Sequence, residues 1–225
     1  MTALRGKGVL AIWNGIATGQ DAEFIRWHVT EHIPERLSIP GFRRARRYVA
    51  LEGHPAYFNF YEVDDAQVLS SETYLARLNQ PSDWTQSIVP HFTDTSRTLC
   101  QVVDSFGHGV GRAMLTLQLS GQVTPALRRL VAQIAESPDV CAVHLLEQAH
   151  DSVPVTQEAR MRDRPDQSAG LILLIEGAVP ERVAAVSKGA ASDAAIAATI
   201  GTEPLMRGLY CLDFLMDCPE AVSTT

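Results

Sequence analysis

"EFIRWHVTEHIPERLSIPGFRRARRY", Glu23 to Tyr48, is the stretch on which the reading of the fold turns. Its first half has helical spacing: Phe24, Ile25, His28 and His32 share one arc of a 3.6-residue wheel, with Trp27 and Glu31 beside it. Pro34 and the Pro40–Gly41 pair then stop the helix and turn the chain. "FRRARRYVALE" alternates, putting Arg44, Arg46, Tyr48 and Ala50 on one face of a strand and Arg43, Arg47, Val49 and Leu51 on the other. The stretch therefore reads as helix, turn, strand.

Working outward, the same logic extends in both directions. Upstream, "GVLAIWNGI" (Gly8–Ile16) is an apolar β-rich run closed by glycine, and Asp21 is placed as the N-cap of the helix. Downstream, "HPAYFNFYEV" is a strand joined to the preceding one by a short "EGHP" hairpin connection. "DAQVLSSETYLARLNQ" reads as a second helix and "SRTLCQVVDSF" (Ser96–Phe106) as a fourth strand. Gly107, Gly109 and Gly111 then punctuate the chain, and the series repeats. "RAMLTLQLSG" is a strand, and "TPALRRLVAQIAES" a helix with Thr124 as cap and Pro125 in its first turn. "VCAVHLLEQ" and "SAGLILLIEG" are strands separated by a polar loop from His150 to Gln167. "PERVAAVSKGAASDAAIAATIG" is helical but broken near Gly189, and "LMRGLYCLDFLMD" closes the order.

Strand–helix–strand–strand–helix–strand, twice, predicts an α+β fold of two tandem ferredoxin-like βαββαβ units. The expected halves are residues 1–107 and 108–225, packed sheet to sheet as an internal pseudo-dimeric α/β barrel. Two unrelated α+β domains are the alternative.

Composition narrows the function classes. The 225 residues are 46% hydrophobic and 20% charged, ordinary for a globular protein. A net charge of -7 argues against nucleic acid as a partner. No apolar run reaches the length of a membrane span, and the amino-terminal segment reads as a strand, not a signal peptide. Four scattered cysteines without a C-x-x-C pair suggest reduced thiols and a cytoplasmic protein.

Three readings compete for "WHVTEH". Zinc is one, since "HVTEH" matches the H-x-x-E-H zincin pattern, but Pro34 follows His32 by two residues and no third ligand is evident. A helix end with buried structural histidines is the second. The third is acid–base chemistry, with one imidazole taking a proton and its neighbour returning it or holding an enolate oxygen. Two imidazoles on one core-facing arc favour the third, in a pocket between helix and sheet.

The stretch Glu23–Tyr48 resembles the dimeric α/β-barrel superfamily, particularly EthD-like proteins, whose first helix carries W-H-x-x-E-H-x-P before a P-G turn. The rest of residues 1–107 resembles it in element order, and the second half in fold only. The resemblance implies a small-molecule enzyme or binding protein, with His28 and His32 as proton donor or acceptor. The superfamily includes cofactor-free isomerases, cyclases, decarboxylases and monooxygenases, and also haem enzymes. Such proteins usually build the barrel from two chains.

The halves differ where it matters. Alignment of the two first helices sets His28 opposite Ala132 and His32 opposite Glu136, so the pocket is expected in the first half, with the second mainly a scaffold. The candidate catalytic residues are His28, His32 and Glu31. Candidate substrate contacts are Trp13, Trp27, Arg44, Arg46, Tyr48, Asn59, Tyr61, Trp84 and His91. Charged-edge protection for the arginines and simple packing for Asn59 and Tyr61 compete with those roles. "PSDWTQSIVPHF" is expected to be a loop able to close the pocket mouth, and "EARMRDRPDQ" a solvated connection. No partner is evident for His54, His108, His144 or His150.

The expected function is a cofactor-independent acid–base enzyme: an isomerase, cyclase, decarboxylase or dehydratase acting on a small carbonyl-bearing cyclic or aromatic metabolite. A haem enzyme and a non-catalytic binding or assembly module are the alternatives. No metal site is expected, and the two-half unit can itself pair as a homodimer.

Overall fold

Side-chain alternation drives the architecture. In β1 (Gly8–Ile16), Val9, Ala11 and Trp13 point to one side of the sheet and are completely buried, while Leu10 and Ile12 point to the other. A computed structural model of the protein describes residues 4–149, 154–162 and 164–219. In it β1 pairs antiparallel with β3 (Tyr57–Val63) and with β4 (Phe92–Gly107). β2 (Phe42–Gly53) lies between β3 and β8 (Met206–Asp217). β5 (Ala113–Leu119) joins β8 to β7 (Leu171–Gly177), and β6 (Ala142–Gln148) joins β7 back to β4.

The order β1-β3-β2-β8-β5-β7-β6-β4 closes a barrel of eight strands. The first four strands run β4-β1-β3-β2 and the last four β8-β5-β7-β6, the same permutation. The seams are β2–β8 and β6–β4. The barrel interior is filled by Trp13, Tyr48, Phe58, Phe60, Met114, Ile172, Leu174 and Tyr210 among others. At one end it also holds an ion cluster, in which Arg46 bridges Glu62 and Glu176, all without exposure.

Helices cover the outer face. Over the second half, α5 (Pro125–Ala135), α7 (Pro180–Lys188) and α8 (Asp193–Ile200) pack Leu127, Val131, Ile134, Val183 and Ile196 onto the sheet, and that layer is filled. Thr124 caps α5 through the Leu127 N–H, as its position before Pro125 suggests. No single helix among the described residues is long and apolar enough to cross a membrane.

Over the first half the expected single helix is three segments: α1 (Asp21–Trp27), a π turn (His28–His32) and α2 (Ile33–Leu37). Pro34 explains the change. It has no N–H, and its ring would crowd the carbonyl four residues back, so the backbone widens and the Ile33 N–H reaches the His28 carbonyl. Ile25, expected on the buried arc, is 37% exposed, and Phe24 and Trp27 take the buried positions. Gln20, not Asp21, precedes the first turn, and the Asp21 carboxylate accepts from the Tyr57 hydroxyl.

Three further expectations change. The second helix splits into a 3-10 segment (Ala66–Ser70) and α3 (Glu72–Asn79), because the Ser71 hydroxyl caps the Tyr74 N–H. The "PSDWTQSIVPHF" segment is α4 (Asp83–Ile88), capped by Ser82, not a loop. The "EARMRDRPDQ" region carries a short helical turn α6 (Gln157–Arg160) and is tied to β4 by a Ser96–Gln167 bridge. His150 lies outside the described residues. At the Pro40–Gly41 turn, Gly41 has φ +94° and a Cβ there would sit 2.6 Å from Val68, so this bend into β2 requires glycine.

Candidate active site

A cavity of about 430 Å³ lies between the first-half helices and the outer face of the sheet. β1 supplies Leu10 and Ile12, and β3 supplies Asn59 and Tyr61, the outward residues of each strand. The π turn brings His28 and His32 to the wall, flanked by Trp27 and, one turn further, Arg36. Residues 154–162 and 164–166 close the other side, with Thr156, Glu158 and Arg162. They belong to the second half of the sequence, so their expected role as a solvated connection is corrected: Glu158 is buried against Arg36.

The imidazoles form a stack. His28 lies 5.3 Å from the Phe24 ring and 5.4 Å from His32, each at 21°, and the Trp27 ring is 4.3 Å from His32. His28 is 3% exposed, and its Nε2 is 3.1 Å from the Tyr61 hydroxyl. The Nδ1 atoms of both rings are buried without a partner. Burial, followed by the charges of Arg47 and Arg36, holds His28 well below the usual imidazole range. Burial also depresses His32, assisted by Arg36, His28 and Arg162. Both rings are therefore neutral at pH 7. Burial pushes the Tyr61 hydroxyl upward, against Arg36 and Arg47, so the phenol keeps its proton.

Several expected site residues lie elsewhere. Glu31 turns away from the cavity to accept from the Ser82 hydroxyl at 2.5 Å. The two rings and this carboxylate thus do not converge as the zinc pattern requires, and no group of three metal-ligating side chains exists among the described residues. Trp13 points into the barrel, stacked on Phe58, with its Nε1 donating to Thr116. Arg44, Arg46 and Tyr48 do share a face, but it is the inner one. Arg44 pairs with Asp217, and Arg46 with Glu62 and Glu176 and with the Tyr48 hydroxyl. These charges were matched by carboxylates on other strands, which a single strand's pattern cannot reveal. Trp84 lies outside the cavity, its Nε1 donating to Glu23, and His91 ends the 3-10 turn before β4.

His144 and His54 also find partners. His144 lies between the Ser105 hydroxyl (2.8 Å) and Glu176 (3.0 Å) in the barrel interior, and His54 is 3.1 Å from Asp94. Burial pushes the Glu176 carboxyl upward, but Arg46, His144 and the Gly111 N–H more than reverse this and leave it at about 2.

Sequence reasoning missed Arg36, Tyr74 and Arg97 as cavity residues. Arg36 had a signal, since it follows His28 and His32 at the same four-residue spacing. Arg97 pairs in register with Ile12, so its outward direction follows once β4 is known to begin at Phe92. The loop arginines Arg162 and Arg164 had none.

Haem iron would need an imidazole nitrogen. His28 offers none, because Nε2 meets Tyr61 and Nδ1 is buried; Trp27 and His28 contact only the faces of the His32 ring, so His32, through its Nε2 edge, is the residue that would hold haem iron.

No protein-family model matches the chain, and no curated protein matches its sequence. Solved structures do match its fold. An anthrone oxidase-like protein is 13% identical, with 100% of this chain and 99% of that one covered at a TM-score of 0.62. A candidate monooxygenase from Fusobacterium nucleatum is 7% identical over 95% and 96% of the two chains, at 0.56. A candidate chlorite dismutase is 12% identical over 93% and 96%, at 0.53. At these identities the likeness concerns fold alone, and the chain has the ferredoxin-like, dimeric α/β-barrel fold.

Proposed function

We propose that the protein is an acid–base enzyme for a small cyclic or aromatic carbonyl compound, using His28 and His32 without metal or organic cofactor. The observation that carries this is the pair of neutral imidazoles on a cavity wall, with His28 hydrogen-bonded to the Tyr61 hydroxyl and no hydrogen-bond partner for His32 among the described residues. A base held below the usual imidazole range suits an acidic C–H, such as one flanked by a carbonyl and an aromatic ring. His32 accepts that proton. His28 donates its Nε2–H to the Tyr61 oxygen, which frees the phenolic O–H to donate to the developing enolate oxygen. Isomerisation, cyclisation, decarboxylation and dehydration all begin or end with such an enolate. The likeness to an anthrone oxidase-like protein supports a polycyclic ketone as one substrate shape.

Two finer assignments belong to the same proposal. The W-H-x-x-E-H-x-P motif supports an EthD-like origin, and the repeated strand permutation supports a tandem duplication, with halves near residues 1–107 and 108–225.

Deuterium exchange into anthrone and cyclohexane-1,3-dione, followed by proton NMR, tests the reading. The protein is expected to accelerate exchange of at least one probe, and His32→Gln to lower that rate about 100-fold. Exchange no faster than in buffer, or full activity in His32→Gln and His28→Gln, overturns it. The same samples titrated with haemin are expected to show no shift of the Soret band.

A further inference from the structure

We infer that the substrate carries an anionic group, in the simplest case a carboxylate, received at the cavity by Arg97 with Arg164. This rests on the cavity being the acid–base site proposed above, and adds the chemical class of the molecule that enters it.

The inference comes from matching charges one by one. Four arginines line the cavity, Arg36, Arg97, Arg162 and Arg164, against two carboxylates, Glu158 and Asp166. Glu158 is taken by Arg36, which is 2% exposed and also reaches Glu35. Asp166 is taken by Arg162 through two parallel hydrogen bonds of 2.7 Å each. Two guanidiniums are left over. Arg97, half-buried on β4, donates to the Tyr74 hydroxyl at 2.9 Å, and no carboxylate forms an ion pair with it among the described residues. Arg164 is exposed at the rim and has no ion-pair or hydrogen-bond partner among the described residues.

The neutral histidines contribute no compensating charge of either sign. Leu10, Ile12, Trp27, Leu78, Val89 and Phe92 make much of the remaining wall apolar, and its other polar groups, Asn59, Tyr61, Tyr74, Thr95 and Thr156, carry no charge. Arg97 spends one N–H on a neutral phenol, which leaves its charge unmatched, and a carboxylate matches it with two parallel, charge-assisted hydrogen bonds. Arg97 is also fixed from below, because its backbone is in register with Ile12 of β1 and its N–H donates to the Gln167 carbonyl at 2.8 Å. A rigid strand position suits orientation of a substrate better than a mobile lysine would. The cavity thus presents an aromatic body site, a proton-transfer wall and one anionic anchor.

The test compares 1-naphthoate with 1-naphthamide, which share a shape and differ in charge, by calorimetry on the full chain. Naphthoate is expected to bind at least about tenfold more tightly. Arg97→Gln should bring the two affinities to within about twofold of each other. Arg97→Lys should keep part of the preference, and Arg164→Gln should reduce it several-fold. Equal affinities for the two probes, no binding of either at millimolar concentration, or an undiminished preference in Arg97→Gln overturns the inference. Circular dichroism identifies a variant that has not folded, and the wild-type comparison stands without it. The two proposals separate cleanly: anion preference without deuterium exchange sinks the acid–base reading alone, and exchange without anion preference sinks this one alone.

Discussion

An imidazole buried beside arginines is a liability in acid. His28 and His32 both have depressed affinity for protons in the folded chain, through burial first and neighbouring arginines second. The unfolded chain restores an ordinary value near 6.5 and so binds more protons than the native state below that pH. Stability is therefore full above about pH 6.5 and falls as pH drops from there toward the depressed native values. Urea midpoints measured from pH 8 to pH 5 should decline, and the decline should be shallower in His28→Gln, which cannot take up the proton. A variant with an unchanged slope would mean that His28 protonates as readily folded as unfolded. At this scale the sequence was informative about residue type and blind to direction. The four-residue spacing of His28 and His32 was legible, whereas Glu31 facing Ser82 depended on a backbone widening that Pro34 causes and a regular wheel does not contain.

Between helix and strap, one contact joins distant parts of the chain. Arg36 of α2 is nearly fully buried, and its partner Glu158 comes from α6, 122 residues on. Removing one partner of a buried pair leaves the other charge uncompensated. Glu158→Gln should cost about 2–3 kcal/mol in denaturant unfolding, below the full penalty because Glu35 still accepts from Arg36 at 2.9 Å. A loss under about 0.5 kcal/mol would show that the strap does not hold the helix. Element identity was largely readable from periodicity: Gly8–Ile16 has the bounds expected of it, and the break near Gly189 falls between α7 and α8. The failures have local causes. Ser71 and Ser82 supply caps that split one helix and create another, and Glu158 looked solvated because its counter-ion lies in the other half.

At the scale of the molecule, what a strand pattern predicts is a face, and what it omits is the opposite wall. The alternation in β2 separated Arg44, Arg46 and Tyr48 correctly from their neighbours, yet only closure of the barrel brings Glu176 from β7 to Arg46. The element order was legible because each strand and helix announces itself locally. The cavity was half legible, since its floor and histidine wall come from the first half and its remaining wall from a strap whose composition matches any exposed loop.

Ring closure has a consequence for any shortened chain. Cut after residue 107, β2 would lose β8 and β4 would lose β6, which leaves two raw hydrogen-bonding borders on one small sheet. Such a fragment has a ready remedy in a second copy of itself, β2 of each meeting β4 of the other. Residues 1–107 expressed alone should therefore sediment as a dimer or aggregate, and a stable monomer would mean that the seams contribute little to folding.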